Sequence, residues 1–289
     1  MSVFLDSGRR YQLCGLLGRG GLGEVLLATD VQLDRQVAIK RLYQDPDATA
    51  ETSEAAIREA RVLASLLHPN VVAVFDIFEF LGDVLVVMEY VNGRTLQEIG
   101  DFAPMEIADF LAVASQSLLG VAAAHDIELL HMDIKPGNIM VANSTAGSWK
   151  VKVLDFGLAR LAEMTHKRTP DDQPRELLGS VYTMAPEQFE ETPQDVRTDL
   201  YSLGCVFYFV LTGSYPYDGD SVEAVINAHL THTLLPLDQA RPDLPPELAT
   251  WVMKFVETSP PDRHQCAYEA LDELRPVMKS LPRTRVVAG

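Results

Sequence analysis

Through the first 90 residues, apolar and polar positions alternate, and turn-forming residues interrupt the runs. That pattern predicts strands over 11–17, 24–29, 36–42, 71–80 and 84–90. A glycine cluster separates the first two, Asp34-Arg35 turns into the third, and Leu81-Gly82-Asp83 is a hairpin signal between the last two. Over 53–67 the spacing becomes helical, with Ile57, Ala60, Ala64 and Leu67 on one face. The N-terminal part therefore reads as an antiparallel sheet with one helix. From about Asn92 the pattern is mainly helical, with helices predicted at 107–125, 198–212, 221–229, 246–257 and 267–281 and short strands at 139–141 and 152–154. Residues 162–174 are polar, aperiodic and proline-punctuated, which predicts a mobile loop, and 282–289 are expected to fray. No internal repeat or low-complexity tract is visible.

A chain of 289 residues can bury a substantial core in one or two domains, and 47% hydrophobic with 22% charged residues fits a soluble globular protein. The longest apolar run, 200–211, falls short of the ~20 residues of a membrane helix. Asp199 as N-cap and Gly213 beyond the end make it a buried helix of a soluble core. The first residues lack a basic stretch followed by an apolar run, so a signal peptide is not expected. Cys14, Cys205 and Cys266 are scattered without a CxxC pair, so a reducing compartment, the cytoplasm, is expected. A net charge of −17 argues against nucleic acid as a partner. It leaves open either steering of basic substrates or plain solubility. His229 and His232 lie three apart near a helix end, without the acidic or cysteine partner a metal site needs.

Candidate chemistry changes this picture. Leu17-Gly18-Arg19-Gly20-Gly21-Leu22-Gly23-Glu24-Val25 contains GxGxxGxV. A dinucleotide site would need a helix next, but Val25-Leu26-Leu27-Ala28 reads as a strand. A glycine hairpin lying over phosphates fits, as does a plain tight turn. Val37-Ala38-Ile39-Lys40 sets a lysine among apolar strand neighbours, where it needs a partner, and mid-helix Glu59 could be one. His131-Met132-Asp133-Ile134-Lys135-Pro136-Gly137-Asn138 puts an acid, a cation and an amide in one short loop, and Asp155-Phe156-Gly157 adds a second acid. Such a set can deprotonate a hydroxyl, steady a phosphate and hold Mg²⁺, as phosphoryl transfer requires.

These segments resemble the catalytic loop and DFG turn of the protein kinases, and the likeness runs over roughly 11–280. Lys135-Pro136 resembles the serine/threonine branch, and GRGGLGEV the Hanks-type (eukaryotic-like) kinases of bacteria. The resemblance implies an α+β, bilobal protein-kinase-like fold. One domain would span 1–281, with a small antiparallel β lobe carrying one helix (1–90) and a large, mainly helical lobe (91–281), then a flexible tail over 282–289. It implies ATP and Mg²⁺ as cofactors and serine or threonine of proteins as acceptor. Lys40 would hold the α- and β-phosphates and pair with Glu59. Asp133 would take the hydroxyl proton, Lys135 would neutralise the γ-phosphoryl, and Asn138 and Asp155 would bind Mg²⁺. The glycine hairpin, Gly18, Arg19, Gly20, Gly21, Leu22, Gly23 and Glu24, would cover the phosphates. Leu17, Val25, Ala38, Met140 and Leu154 would sandwich adenine, Met88 would guard the back pocket, and backbone groups of Glu89 and Val91 would meet the adenine edge. Simple core packing is the competing account of these apolar residues, of Met140 and Leu154 above all.

By the same resemblance, 179–187 form the acceptor-peptide platform and Glu187 pairs with Arg263. Ser180 bonds Asp133 and Lys135, and Asp199 accepts hydrogen bonds from the catalytic-loop backbone. Leu63, Val74, His131 and Phe156 stack as an apolar column, so His131 is structural. Closure of the lobes on ATP and ordering of 158–178 would complete the site. Two departures matter. Met132 stands where most of the family has arginine, so loop phosphorylation, available at Thr165 and Thr169, is not expected to be obligatory. Thr95 and Gly137 stand where kinases selecting upstream arginine use glutamates, so the acidic charge does not signal that preference. The alternatives are a pseudokinase scaffold and a small-molecule phosphotransferase of related fold.

Overall fold

The computed structural model describes residues 3–20, 23–42, 64–143, 149–156 and 179–280. They fall into two compact units, one drawn from 1–92 and 155–177, the other from 93–154 and 178–289.

The first unit is a five-stranded antiparallel sheet of β1 (Tyr11–Gly20), β2 (Gly23–Asp30), β3 (Arg35–Leu42), β4 (Val74–Phe80) and β5 (Asp83–Glu89), in the order β1-β2-β3-β5-β4. Alternation puts Leu26 and Ala28, Val37 and Ile39, and Leu85 and Val87 on one face, where they bury against Tyr11 and Leu5. Asp30, fully buried, is neutralised by the Arg10 guanidinium at 3.0 and 2.7 Å and caps the turn through the Gln32 and Leu33 amides. Leu81 and Gly82, with φ of 55° and 88°, form a two-residue type I′ hairpin turn between Phe80 and Asp83.

β4 starts at Val74 rather than 71, because Val71 and Val72 are buried in the approach to the strand, after a turn closed by the Val71 amide on the His68 carbonyl. Of the helix expected over 53–67, residues 64–65 are helical and 53–63 lie outside the described residues. Leu67, expected on its buried face, is 76% exposed, and Leu66 takes that place at 5%. The chain has left the helix by then, so helical spacing no longer applies.

The second unit opens with β6 (Arg94–Thr95), α1 (Leu96–Gly100) and α2 (Ile107–His125). A 3₁₀ turn (Pro136–Asn138), β7 (Ile139–Asn143), β8 (Trp149–Val153) and α3 (Pro186–Phe189) follow. Then come α4 (Val196–Thr212), α5 (Val222–Leu230), α6 (Leu237–Ala240), α7 (Pro246–Phe255) and α8 (Ala267–Ser280). The strands form a small sheet in the order β6-β7-β8.

α4 is buried on every side from Thr198 to Leu211, as expected of a central helix. It packs on α2 and α7, and α2 packs on β8 and α8. Gly204 lets α7 approach, since a Cβ there would sit 2.4 Å from Phe255 Cβ. α4 begins earlier than expected. Its N-cap is Asp195, whose carboxylate accepts from the Arg197 amide while the Thr198 hydroxyl accepts from the Asp195 amide. Asp199 is interior, and its carboxylate is engaged elsewhere. Gly213 closes the helix in the left-handed region at φ 78°. Among the described residues, α2, rather than 200–211, is the helix long and apolar enough to cross a membrane by length and composition, and much of it is buried in this unit.

Candidate active site

In the first unit, β1 and β2 pair down to Gly20 opposite Gly23, and Gly21 and Leu22 lie outside the described residues. A Cβ on Gly18 would meet open space, whereas one on Gly23 would sit 2.0 Å from the Arg41 carbonyl. Gly23 is thus required by β3, and Gly18 leaves room above the hairpin. Glu24 is engaged at both oxygens, by Arg19 at 3.0 Å and Arg41 at 3.3 Å, and Arg41 also holds Asp83 at 2.6 Å. Arg19 and Glu24 therefore brace the hairpin across β1, β2 and β3.

Lys40 sits on β3 opposite Val25 and Val86 and bonds Asp155 Oδ2 at 2.7 Å. Asp155 is in the left-handed region, φ 59°, in a turn that presents its carboxylate to the lysine. Glu59, the expected partner, lies outside the described residues, as does Leu63. Asp155, Phe156, Val74, Met88, Leu66, Val71 and Val72 enclose a cavity of about 20 Å³, room for about one water molecule. Ala38 and Met88 are buried, but Val25 is half-buried and Leu17, at a β1 bulge, is 46% exposed. The Glu89 amide is spent on the Ala73 carbonyl at 2.9 Å, so its N–H is not available to a ligand. Val91, just past β5, is half-buried.

In the second unit the loop 131–138 is strapped to α4. Asp199, 1% exposed, accepts from the amides of His131 at 2.8 Å and Met132 at 2.9 Å, and bonds His125 Nε2 at 2.8 Å. His131 Nδ1 accepts from the Asp133 amide at 3.3 Å, so Nε2 carries the proton and donates to the Leu154 carbonyl at 2.8 Å. That makes His131 a spacer between the loop and the end of β8.

Asp133 is the centre of a tight group. Lys135 Nζ lies 2.8 Å from its Oδ2, and the Ser180 hydroxyl donates to its Oδ1 at 2.7 Å. Lys135 also donates to Ser180 at 3.0 Å. Burial pushes the Asp133 carboxyl up, but the Lys135 charge and hydrogen bonds from Lys135 and Ser180 outweigh it, so it stays ionised below the usual carboxylate range. Asn138 Nδ2 reaches the Asp133 carbonyl at 2.8 Å and Oδ2 at 3.2 Å. With its amide hydrogens directed there, Oδ1 is the atom left to bind a cation. Met140 and Leu154 are half-buried while their neighbours Ile139, Val141 and Val153 are buried.

The segment carrying Ser180 is anchored from below. Glu187 and Arg263, 5% and 1% exposed, form a two-pronged pair at 2.8 and 2.9 Å, and the Thr198 hydroxyl donates to Glu187 at 2.8 Å. Arg263 also bonds the carbonyls of Glu257, Thr258 and Arg197. Burial raises the Glu187 carboxyl, yet Arg263 brings it below its ordinary range. Gln188 Nε2 donates to the Met132 carbonyl at 3.1 Å, tying α3 to the catalytic loop. His125 and Gln188 escape a reading of the sequence. The buried acid Asp199 was the available signal for the first, and nothing local marked the second.

The geometry is thus a lysine–aspartate pair beside a glycine hairpin in one unit and a charged Asp133–Lys135–Asn138 loop in the other. Comparison with known proteins adds to this. The chain is 38% identical over 275 residues to serine/threonine-protein kinase pkn2 of Myxococcus xanthus, covering 94% of this chain and 33% of that protein. It is 39% identical over 274 residues to serine/threonine-protein kinase PknB of Mycolicibacterium smegmatis, covering 92% and 42%. It therefore spans well under half the length of these relatives. The PknI kinase domain of Mycobacterium tuberculosis superposes with a TM-score of 0.68 at 26% identity, over 92% of this chain and 96% of that one. Rad53 residues 1–466, in complex with AMP-PNP, superposes at 0.75 with 22% identity, over 92% and 65%, a likeness of fold alone. The protein kinase domain family profile matches residues 11–284, from the first residue of β1 to beyond the end of α8. Matched over nearly its whole length, with a β-sheet unit and a helical unit of that architecture, this chain belongs to the protein kinase domain family.

Proposed function

We propose that this chain is a serine/threonine protein kinase domain that transfers the ATP γ-phosphoryl to hydroxyls of protein substrates. The observation that carries the reading is Asp133, held ionised by Lys135 and Ser180 on a loop strapped to buried Asp199. An ionised, fixed carboxylate can accept a hydrogen bond from a serine or threonine hydroxyl and orient its oxygen. The hydroxyl oxygen forms the new bond to the γ-phosphorus, the bond to the β-phosphate oxygen breaks, the proton passes to Asp133 and ADP leaves. Lys135, at 2.8 Å from Asp133, offsets charge on the transferring group. Lys40, now bonded to Asp155, would turn its ammonium to the α- and β-phosphates. Bound Mg²⁺ would supply charge neutralisation, and Asn138 Oδ1 and Asp155 offer the hard oxygen ligands it takes. Leu17, Val25, Ala38, Met140 and Leu154 would face adenine, with Met88 behind it and the Glu89 carbonyl and Val91 at its edge.

The domain we propose runs over 1–281, as a β lobe of 1–90 and a helical lobe of 91–281, with 282–289 as tail. Free cysteines, two of them exposed, favour a reducing compartment and thus the cytoplasm. Met132 leaves no charged side chain beside Asp133 that needs a phosphate, while its amide and carbonyl are satisfied by Asp199 and Gln188. Activity should therefore survive alanine at Thr165 and Thr169. Loss of activity that an acidic residue restores would sink that part. Alanine at Ser180 does not probe it, because that hydroxyl bonds Asp133 and Lys135.

The test of the function is incubation with Mg²⁺, γ-labelled ATP and a general acceptor protein, followed by identification of the labelled residue. Label on serine or threonine is expected. ATP binding without transfer would point to a scaffold, and label on a sugar or antibiotic alone to a small-molecule phosphotransferase.

A further inference from the structure

His264 directly follows Arg263, between α7 and α8, and its side chain is fully buried. The ring lies against Phe255 and Trp251 of α7, with centroids at 4.2 and 5.9 Å. Nε2 is 3.2 Å from the Trp251 carbonyl. A carbonyl oxygen has no hydrogen to give, so Nε2 carries a proton and donates it. In the neutral ring Nδ1 is therefore the nitrogen with the lone pair. Nδ1 is buried and has no hydrogen-bond partner. Burial also pushes this imidazole down, which keeps the ring neutral at pH 7.

Two carboxylates face that lone pair. Glu269 and Glu273 stand four apart on α8 and so share one face. Glu273 Oε2 is 3.3 Å from Nδ1, and one ligand atom from each of His264, Glu269 and Glu273 lies within 4.8 Å of the others. A lone pair set against a carboxylate oxygen is repulsive, and a buried polar atom without a partner calls for a reason. Lys254 of α7 does not supply it. Its ammonium holds Oε1 of Glu269 at 3.3 Å and Oε1 of Glu273 at 2.8 Å, away from the ring, and one lysine against two acids leaves negative charge over. The Gln265 amide donates to Glu269 Oε2 at 2.9 Å.

We propose that His264 Nδ1, Glu269 and Glu273 form a binding site for a divalent cation of the zinc type. Two donors on a tetrahedral zinc, with bonds of about 2.0–2.1 Å, stand about 3.3 Å apart. Nδ1 and Glu273 Oε2 already have that separation. The Nε2–H donated to a backbone carbonyl is the contact that orients a metal-binding histidine. A nitrogen donor beside carboxylates suits zinc and cobalt, whereas Mg²⁺ and Ca²⁺ take oxygen ligands. Glu273, with a side chain 41% exposed, leaves the group open to water, which completes the coordination. Lys254, 32% exposed, yields to solvent as the ion enters, and Glu269 closes on it by rotation of its side chain. The ion clips α8 to the loop that carries Arg263.

The experiment titrates the metal-stripped chain with Co²⁺ by visible absorption, with Mg²⁺ in excess to cover the acids of the proposed Mg²⁺ site. Wild type, His264→Phe and Glu273→Gln are compared, with thermal denaturation of each in the presence and absence of Zn²⁺. Wild type should develop the visible bands of cobalt at low coordination number, lose them to Zn²⁺, and gain Tm with Zn²⁺. Each variant should bind at least about 10-fold more weakly, since even an outer contact of a metal site is worth that much. Glu273 is at the surface, so Glu273→Gln keeps the fold and decides the matter if His264→Phe does not fold. No cobalt bands in wild type, or bands of equal affinity in Glu273→Gln, overturn the proposal. Intense thiolate-to-cobalt absorption in the ultraviolet would place the ion on an exposed cysteine, Cys14 or Cys266, and overturn it as well.

Discussion

Lys135 and Ser180 hold the Asp133 carboxyl below its ordinary range, outweighing the burial that pushes it up. Asp133→Asn keeps the shape and loses the proton acceptor, so kcat/KM should fall about 10²- to 10⁴-fold. Nucleotide affinity, read by fluorescent-nucleotide titration, should change little, and a fall below threefold in kcat/KM would count against the assigned role. Arg263→Ala strips the partner from buried Glu187 and should cost about 3–5 kcal/mol in urea denaturation. A loss under about 1 kcal/mol would show that the pair is not the anchor argued here. The residues proposed for the chemistry, Asp133, Lys135, Asn138 and Asp155, are of kinds a sequence can mark, because few side-chain types suit such work. Residues that act by contact are not. His125 meets Asp199 across 74 positions and Gln188 meets the Met132 carbonyl across 56, and no local spacing announces either. Glu24 is a contact of the second kind: Arg19 and Arg41 hold both of its oxygens, a brace that its place in a glycine motif does not announce.

α4 carries the heaviest structural demands of any described element. Gly213 ends it at φ 78°, where alanine is strained, so Gly213→Ala should lower stability by about 1–2 kcal/mol. Gly204→Ala should cost more, since its Cβ would meet Phe255 Cβ at 2.4 Å. Equal urea midpoints for the two variants and wild type would contradict both. Long elements were readable from period alone: α2 has the bounds its apolar spacing predicts, and α4, α5, α7 and α8 lie within a few residues of theirs. Elements of two to five residues, β6, α1, α3 and α6, are too short to show a period. α1 did carry a readable signal, the Thr95–Glu98 capping box. The start of α4 was misplaced because both Asp195 and Asp199 suit a cap, and only packing shows that Asp199 is spent on the catalytic loop.

At the scale of the whole chain, buried titratable groups tie stability to pH. His229 is held near 3, below an ordinary histidine value of 6.5, so the unfolded chain binds a proton that the folded chain refuses. Stability is then full above about 6.5 and declines, by up to a few kcal/mol, as pH falls toward 3. Glu187, depressed from 4.5, adds a further loss as pH drops below that value. The urea midpoint should thus fall between pH 7 and pH 4.5, and His229→Phe should flatten that fall. A midpoint that rises on acidification would contradict the sign. The net charge of −17 has no counterpart in the described site, where Lys40 and Lys135 are paired with acids, so it bears on the surface rather than on the chemistry. The central claim is that Asp133 works as the proton acceptor in transfer to a protein hydroxyl. The most direct measurement is transfer of label from γ-labelled ATP, with Mg²⁺, to a general acceptor protein by wild type and by Asp133→Asn side by side. The account predicts phosphoserine or phosphothreonine with wild type and almost none with the variant. Equal labelling by both, or none by a wild type that still binds ATP, would contradict it.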